Sequence, residues 1–92
     1  MIRSFHDEDT RQLFEREASR RWSNIARVAL RRLRVLHRAR TLEDLRVPPG
    51  HRLEALKGGR AGQFSIGVND QYRICFGWKD GDAYRVELTD YH

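Results

Sequence analysis

Asp90, Tyr91 and His92 place a carboxylate, a phenol and an imidazole side by side, after a run of β-branched and aromatic residues. Each of these side chains donates or accepts protons, and imidazole does so near neutral pH. The chain is basic, and all of its 18 basic residues except Lys57 and Lys79 are arginine, whose planar fork suits phosphates. Positive charge that holds an anionic substrate, with proton-transfer groups at one edge, is what phosphodiester cleavage requires.

Most of the positive charge lies in the first half of the chain. The 92 residues carry a net charge of +5, and residues 18–42 hold eight arginines without an acid. This basic helix face is expected to contact nucleic-acid phosphates without reading sequence, and a solvated helix face is the alternative. The RNA-binding candidates are Arg27, Arg31, Arg32, Arg34 and Arg38, joined by Arg60 further along.

Length and composition exclude several classes of protein. The chain fits one domain, residues 1–92, with a single modest core. Its one cysteine, Cys75, permits no internal disulfide and indicates a reducing compartment. No apolar run suits a membrane span or a leader, so a cytoplasmic location without a membrane partner is expected. His6, His37 and His51 lack metal-ligand spacing, so they are interpreted as surface or helix residues and no metal site is expected.

Hydrophobic periodicity predicts two helices in the first half. A short strand over residues 2–5 precedes a helix that begins near Asp9, after an acidic stretch that suits a helix N-terminus. The second helix has Ser23 as a possible cap. A brief helical turn over residues 41–45 ends before Pro48. The apolar stripe of the second helix consists of Trp22, Ile25, Ala26, Ala29, Leu33 and Leu36.

After Gly50 the apolar period changes to two, which predicts strands. A strand over residues 53–56 is followed by a glycine-rich loop and then by three strands joined by tight turns. These three strands cover residues 64–68, 72–78 and 84–89. The prediction is therefore an α+β fold in which two N-terminal helices pack on a small antiparallel β-sheet meander.

Alternation along the last two strands predicts which side chains leave the core. Those expected to face the helices are Tyr72, Ile74, Phe76, Trp78, Tyr84, Val86 and Leu88. Arg73 and Tyr91 then share the opposite face of the sheet, and Lys57 and Arg60 can reach over it from the flexible glycine-rich loop. The rim of this concave basic surface would carry Asp90 and His92.

Each of these residues also has a structural interpretation. Arg60 and Arg73 could pair with Asp70 or Glu87 on the surface, where ion pairs contribute little to stability. A tyrosine such as Tyr91 is more often packed than catalytic.

Over nearly its full length the chain resembles HigB-type toxins of the RelE/ParE superfamily. The resemblance is carried by the segments MIRSF (residues 1–5), RLEALKG (52–58), RAGQ (60–63), SI (65–66), NDQYRICF (69–76) and TDYH (89–92). It implies a RelE-like fold and a type II toxin that cleaves messenger RNA in the decoding site of the ribosome without a metal or cofactor. It also implies a HigA-like helix-turn-helix antitoxin. The toxin would contact DNA only as part of the complex with this antitoxin.

The same resemblance assigns the functional elements of the family to Lys57, Arg73, Asp90, Tyr91 and His92. The chain departs from it at one position, because Glu54 stands where some family members carry a histidine. If that histidine transfers protons there, Glu54 or another group must replace it here. The identity of the general base therefore stays open.

The expected reaction is a transesterification in which an RNA 2′-hydroxyl attacks its neighbouring phosphate. It requires a base for the 2′ proton, cations for the charge on the phosphorane, and an acid for the leaving oxygen. The candidate bases are Glu54, Lys57, Asp90 and Tyr91. The candidate cations are Arg60 and Arg73, and the candidate acids are Tyr91 and His92.

Two other functions suit the same composition. A ParE-like inhibitor of DNA gyrase would share the fold without needing Lys57, Arg73 and Tyr91 to be grouped. A non-catalytic basic RNA-binding module would expose stacking aromatics on its sheet, whereas Tyr72, Phe76 and Trp78 are expected in the core.

Overall fold

The computed structural model describes residues 1–90, which form two α-helices and one four-stranded antiparallel sheet in the order β1-β2-β3-β4. The helices are α1 (Glu8–Arg16) and α2 (Ala26–Arg38), and the strands are β1 (Glu54–Ala55), β2 (Gln63–Gly67), β3 (Tyr72–Lys79) and β4 (Asp82–Asp90). Short 3-10 turns cover Leu42–Arg46, Pro49–His51 and Gly58–Arg60. This arrangement confirms the predicted α+β fold, with two helices followed by an antiparallel meander.

The helices begin where local chemistry supplies partners for their first amides. Asp7 caps α1, because its Oδ1 accepts the amide of Thr10 at 2.7 Å. Ser23 is not a cap, so that prediction was wrong: α2 begins after Ile25 without a side-chain cap, and Ser19 Oγ instead accepts the amide of Trp22 at 3.2 Å.

Within residues 1–90, neither helix combines the length and the apolar character that a membrane span requires.

The core lies between the helices and one face of the sheet. The predicted apolar stripe is buried, with Ala26 only partly so, but Trp22 and Ile25 lie in the turn before α2 rather than in the helix. The helices and this turn contribute Leu13, Trp22, Ile25, Ala29, Leu33 and Leu36 to the core, and the sheet contributes Ile66, Ile74, Phe76, Ala83, Val86 and Leu88. The Trp22 ring packs edge-on against Tyr72 at 5.6 Å between centroids, which closes the core at the end where β3 begins.

A bulge in β4 changes the predicted facing of one residue. Arg85 has a φ of 52°, and the pairing of β3 with β4 shifts register between Cys75 and Gly77. Tyr84 therefore pairs with Gly77 and is exposed, while Ala83 is buried. The prediction that Tyr84 faces the helices was wrong because it assumed unbroken alternation, which an extra residue in one strand interrupts.

Residues 2–5 run alongside β4 but do not form the strand that the sequence predicted. They form two isolated parallel bridges, Ile2 with Ala83 and Phe5 with Val86. Ser4 Oγ accepts the amide of Arg85 at 2.9 Å, so the N-terminal segment provides a partner for the bulged backbone. The chain thus holds its N-terminus against the strand that leads to Asp90.

The histidines differ in their surroundings. His6 is exposed and lies just before α1, and His37 lies in α2 with its Nδ1 accepting the amide of Ile2 at 3.1 Å. His51 is only 2% exposed, so its assignment as a surface or helix residue was wrong. The turn Pro49–His51 folds it inward, where the backbone oxygen of His51 would lie 3.5 Å from a Cβ at Gly67.

Candidate functional site

The sheet face opposite the helices, here called the open face, carries two rows of paired residues. One row is Glu54, Ser65, Cys75 and Glu87, and the next is Gly67, Arg73 and Thr89. Neighbouring rows on one face of a sheet lie about 7 Å apart. Side chains from four strands therefore converge on a surface small enough to contact one phosphodiester and its neighbours.

Arg73 is fixed beneath this face. Its Nε donates to Ser65 Oγ at 2.7 Å, and its Nη2 donates to the carbonyl of Ser65 at 3.3 Å and to the carbonyl of Arg52. The residue is only 6% exposed. Gly67 leaves room for the guanidinium, since a Cβ there would lie 3.3 Å from Nη1. Alternation correctly placed Arg73 on the open face, but the structure makes it a rigid, nearly buried cation rather than an extended surface arginine.

The glycine-rich segment before β2 forms a 3-10 turn over Gly58–Arg60. Gly58 and Gly62 adopt positive φ values of 63° and 94°, which favour glycine. The amide of Arg60 donates to the carbonyl of Lys57 at 3.3 Å. This turn carries Arg60 back over the sheet, where its Nη1 contacts Gln63 Oε1 at 3.2 Å.

Glu87 is the partner of Arg60, as the structural interpretation allowed. Its Oε1 accepts Arg60 Nη2 at 3.0 Å, and its Oε2 lies 3.7 Å from His6 Nε2. The Glu87 side chain is 17% exposed. Cys75 lies beside the pair, and burial raises the pKa of its thiol, with the Arg60 and Glu87 charges acting in opposite directions. The thiol is therefore a packing group of the open face.

Sequence reasoning missed Glu87, His6 and Ser65 as site residues. The outward facing of Glu87 in β4 was a usable signal, because strand alternation had predicted it. Ser65 occupies the outward position of β2 opposite Cys75. No local pattern indicated His6, since its place depends on a bridge between two distant parts of the chain.

Lys57 and Glu54 lie near the edge of the open face. Lys57 immediately precedes the turn Gly58–Arg60 and is exposed. Glu54 is exposed in the edge strand β1, opposite Ser65. Neither side chain has a hydrogen bond or ion pair to any other part of residues 1–90. Both are thus available to solvent or to a ligand.

Asp90 is exposed at the end of β4, where it pairs with Tyr72 across the sheet and its Oδ2 accepts Gln71 Nε2 at 3.1 Å. Alternation directs it to the face opposite Arg73, one residue beyond Thr89. The predictions for Tyr91 and His92 lie outside the described residues.

The α2 arginines divide into two groups. Arg32 is partly buried and its Nε donates to the carbonyl of Gly67 at 3.1 Å, while Arg34 pairs with Glu17. The members that are exposed and whose side chains have no hydrogen bond or ion pair within residues 1–90 are Arg27, Arg31 and Arg38. The five arginines predicted to bind RNA therefore do not form one uniform surface.

No group of three or more His, Cys, Asp and Glu side chains that could hold a metal ion is present within residues 1–90. The groups available on the open face are guanidinium, ammonium, carboxylate and imidazole. Together they can bind an anion and transfer protons at its edge.

Comparison with known proteins shows the family. Residues 3–92 match the model of the HigB-like toxin family, described as the RelE-like toxin of the type II toxin–antitoxin system HigB. The chain is 40% identical to Toxin HigB-1 of Vibrio cholerae serotype O1 over 90 residues, which cover 96% of this chain and 95% of the relative. It is 45% identical to Endoribonuclease HigB of Proteus vulgaris over 42 residues, or 46% of each chain.

A solved structure shares the fold. The crystal structure of a mutant of YafQ from E. coli superimposes with a TM-score of 0.60 at 14% identity, covering 98% of this chain and 91% of that chain. Sequence and fold agree, and the chain belongs to the HigB-like toxin family of type II toxin–antitoxin systems.

Proposed function

We propose that the chain is a ribosome-dependent endoribonuclease that cleaves messenger RNA in the decoding site without a metal, thereby inhibiting translation and growth. Membership of a type II system implies an antitoxin partner, and we infer a HigA-like helix-turn-helix protein. Residues 1–92 would act as one domain. The main support for the proposal is a pair of guanidinium groups on the open face: Arg73 belongs to one row of the sheet, and Arg60 reaches Glu87 of the neighbouring row from the turn before β2.

The two arginines suit the charge that develops during cleavage. Arg73 is held by Ser65 and by two backbone carbonyls, so its orientation does not have to be organised when substrate binds. Preorganised charge of this kind usually contributes more to catalysis than other single effects. Arg60 lies at the surface above the neighbouring row, where it can meet non-bridging phosphate oxygens.

The proton-transfer groups are assigned from the resemblance. Glu54, Lys57, Asp90 and Tyr91 are the candidates for the base that takes the 2′ proton, and Tyr91 and His92 are the candidates for the acid. A single well-placed group contributes about 10²- to 10⁴-fold to such a reaction. The ribosome would supply the remaining alignment of RNA, because positioning is worth a large part of the barrier.

The outer arginines of α2 would hold ribosomal RNA. Arg27, Arg31 and Arg38 are exposed, and within residues 1–90 they have no acidic partner, so they are available to phosphates. Such contacts carry affinity without sequence preference.

The test is primer extension on mRNA bound to ribosomes, with analysis of the product ends. The proposal expects cleavage only of ribosome-bound RNA, leaving a cyclic phosphate and a free 5′-hydroxyl. Tyr91→Phe and His92→Gln should each slow cleavage, by about 10²-fold or more. Intact mRNA together with blocked DNA supercoiling would favour the gyrase inhibitor, and RNA binding without cleavage would favour the binding module.

A further inference from the structure

Three segments that are far apart in sequence meet at Glu87. The carboxylate contacts Arg60 Nη2 through Oε1 at 3.0 Å and faces His6 Nε2 through Oε2 at 3.7 Å. Each oxygen therefore has a different cationic or potentially cationic partner. Glu87 is mostly buried, at 17% exposed, while the His6 side chain is 58% exposed.

Contacts of the main chain fix the position of the His6 backbone. The amide of His6 donates to the carbonyl of Val86 at 2.9 Å, next to the bridge between Phe5 and Val86. The Phe5 ring packs on Phe14 of α1 at 5.8 Å. His6 is thus not part of a loose end, because its neighbours on both sides are anchored to β4 and α1.

The two ring nitrogens of His6 have different surroundings. Nε2 faces the carboxylate of Glu87, so Nδ1 is the ring nitrogen that we assign to contact with a ligand. Since more than half of the side chain is exposed, this nitrogen can be reached by a substrate hydroxyl. The guanidinium of Arg60 lies on the other side of the same carboxylate, where it can bind the adjoining phosphate.

We propose that His6 is the general base of the cleavage reaction and that Glu87 is the positioning residue that orients both His6 and Arg60. The inference rests on the proposed function and deepens it, because it assigns the proton acceptor to a residue outside the four candidates named from sequence. It requires no cofactor or co-reactant.

Nδ1 of His6 takes the proton of the 2′-hydroxyl while the 2′ oxygen forms a bond to phosphorus. The bond from phosphorus to the 5′ oxygen then breaks, and that oxygen receives a proton from the acid, Tyr91 or His92. The products are a 2′,3′-cyclic phosphate and a 5′-hydroxyl. His6 afterwards gives its proton to water, and the acid takes one back from water, so both groups return to their starting states.

The experiment measures single-turnover cleavage of mRNA on purified ribosomes. His6→Gln is expected to lower the maximal rate by about 10²-fold or more while leaving the concentration for half-saturation nearly unchanged. In His6→Ala, free imidazole should restore part of the rate, because the site is exposed enough to admit it. Imidazole should not change the rate of wild-type protein.

Arg3→Gln is the matched control. Arg3 Nε pairs with Asp82 Oδ2 at 3.1 Å and joins the same N-terminal segment to the start of β4, away from Glu87. This variant should cleave like the wild type. Glu87→Gln should lower the rate as His6→Gln does but should not respond to imidazole, since the ring is still present.

Three results would overturn the inference. The first is a His6→Gln variant that cleaves at the wild-type rate. The second is a His6→Ala variant that imidazole does not rescue, with Arg3→Gln equally slow, which would make His6 only a tether. Wild-type protein that leaves ribosome-bound mRNA intact would instead reject the proposed function, and with it this assignment. Circular dichroism of each variant confirms that it is folded.

Discussion

The arginines of the open face and the arginines on the outer surface of α2 differ in how their side chains are held. Arg73 is surrounded by acceptors from Ser65 in the sheet and from the Arg52 carbonyl, and Arg60 is paired with Glu87. Arg27 and Arg31 are exposed, and residues 1–90 provide them with no acidic partner. The first pair is held in one geometry, whereas the second is free to follow whatever phosphates approach.

This difference indicates two ways of using positive charge. A guanidinium held in place costs little to organise when the reaction proceeds, so it suits a transition state. A mobile guanidinium loses side-chain entropy on binding, but it contributes long-range attraction that salt screens. Arg32 lies in α2, but its side chain contacts the sheet, because its Nε donates to the carbonyl of Gly67.

The largest effect is expected at Arg73. Arg73→Ala would leave Ser65 Oγ and two backbone carbonyls without their donor, at about 1–3 kcal/mol for each unsatisfied group. We expect a loss of at least about 2 kcal/mol in the free energy of unfolding and loss of cleavage. Urea unfolding and primer extension measure the two quantities.

Two further variants, one at Arg73 and one at Arg60, separate the effect of charge from that of structure. Arg73→Lys keeps the charge but not the planar fork. Its free energy of unfolding should be higher than that of Arg73→Ala, but it should still cleave mRNA more slowly than the wild type. Arg60→Gln breaks a partly exposed ion pair, which contributes about 0–1 kcal/mol, so it should lose activity with little loss of stability. Equal stability of Arg73→Ala and the wild type would contradict the contrast between fixed and mobile arginines.

An intermediate effect is expected on α2. Replacing Arg27, Arg31 and Arg38 with glutamine should weaken ribosome binding and lower the slope of log affinity against log salt by about two to three, since each phosphate contact contributes about 0.7–0.9. The unfolding midpoint should change little because these side chains are exposed. Binding measured at several salt concentrations checks this.

A control triple variant tests whether position matters. Arg16, Arg46 and Arg85 are exposed and lie outside α2, so replacing them with glutamine removes the same charge from other surfaces. If this control reduced the salt slope as much as the α2 variant, net charge rather than the helix surface would account for binding.

The smallest effect is expected at His51, which lies near Arg32. Burial, followed by the Arg32 charge, lowers the pKa of His51 below its usual 6.5, although a backbone hydrogen bond with Leu45 acts in the other direction. The unfolded chain therefore takes up a proton before the folded chain as pH falls. The free energy of unfolding should decrease as pH drops below about 6.5, with no such contribution above it.

Urea unfolding between about pH 5 and 7 tests this dependence, because the carboxylates with lowered pKa values, Glu8, Asp44 and Asp82, titrate below that window. A His51→Gln variant should show a smaller decrease over the same range. An unchanged pH dependence would show that the imidazole is not the responsible group.

Sequence patterns predicted much of the fold and part of the site. The α2 stripe and the outward facing of Arg73 followed from periodicity, which neighbouring residues encode. Tyr84 was misassigned because nothing local indicated the bulge at Arg85. His51 was misassigned because its burial depends on how a turn after α2 folds against β2.

The sequence by itself determined the order of helices and strands, the basic character of α2 and the presence of a cation on the open face, because these depend on residue types at short spacing. Only the tertiary structure decided that the Arg52 carbonyl helps to hold Arg73 and that His6, Arg60 and Glu87 meet. Those contacts join segments that are distant in sequence. Such contacts form only when backbone pairing and core packing bring the segments together, and no local pattern records that outcome.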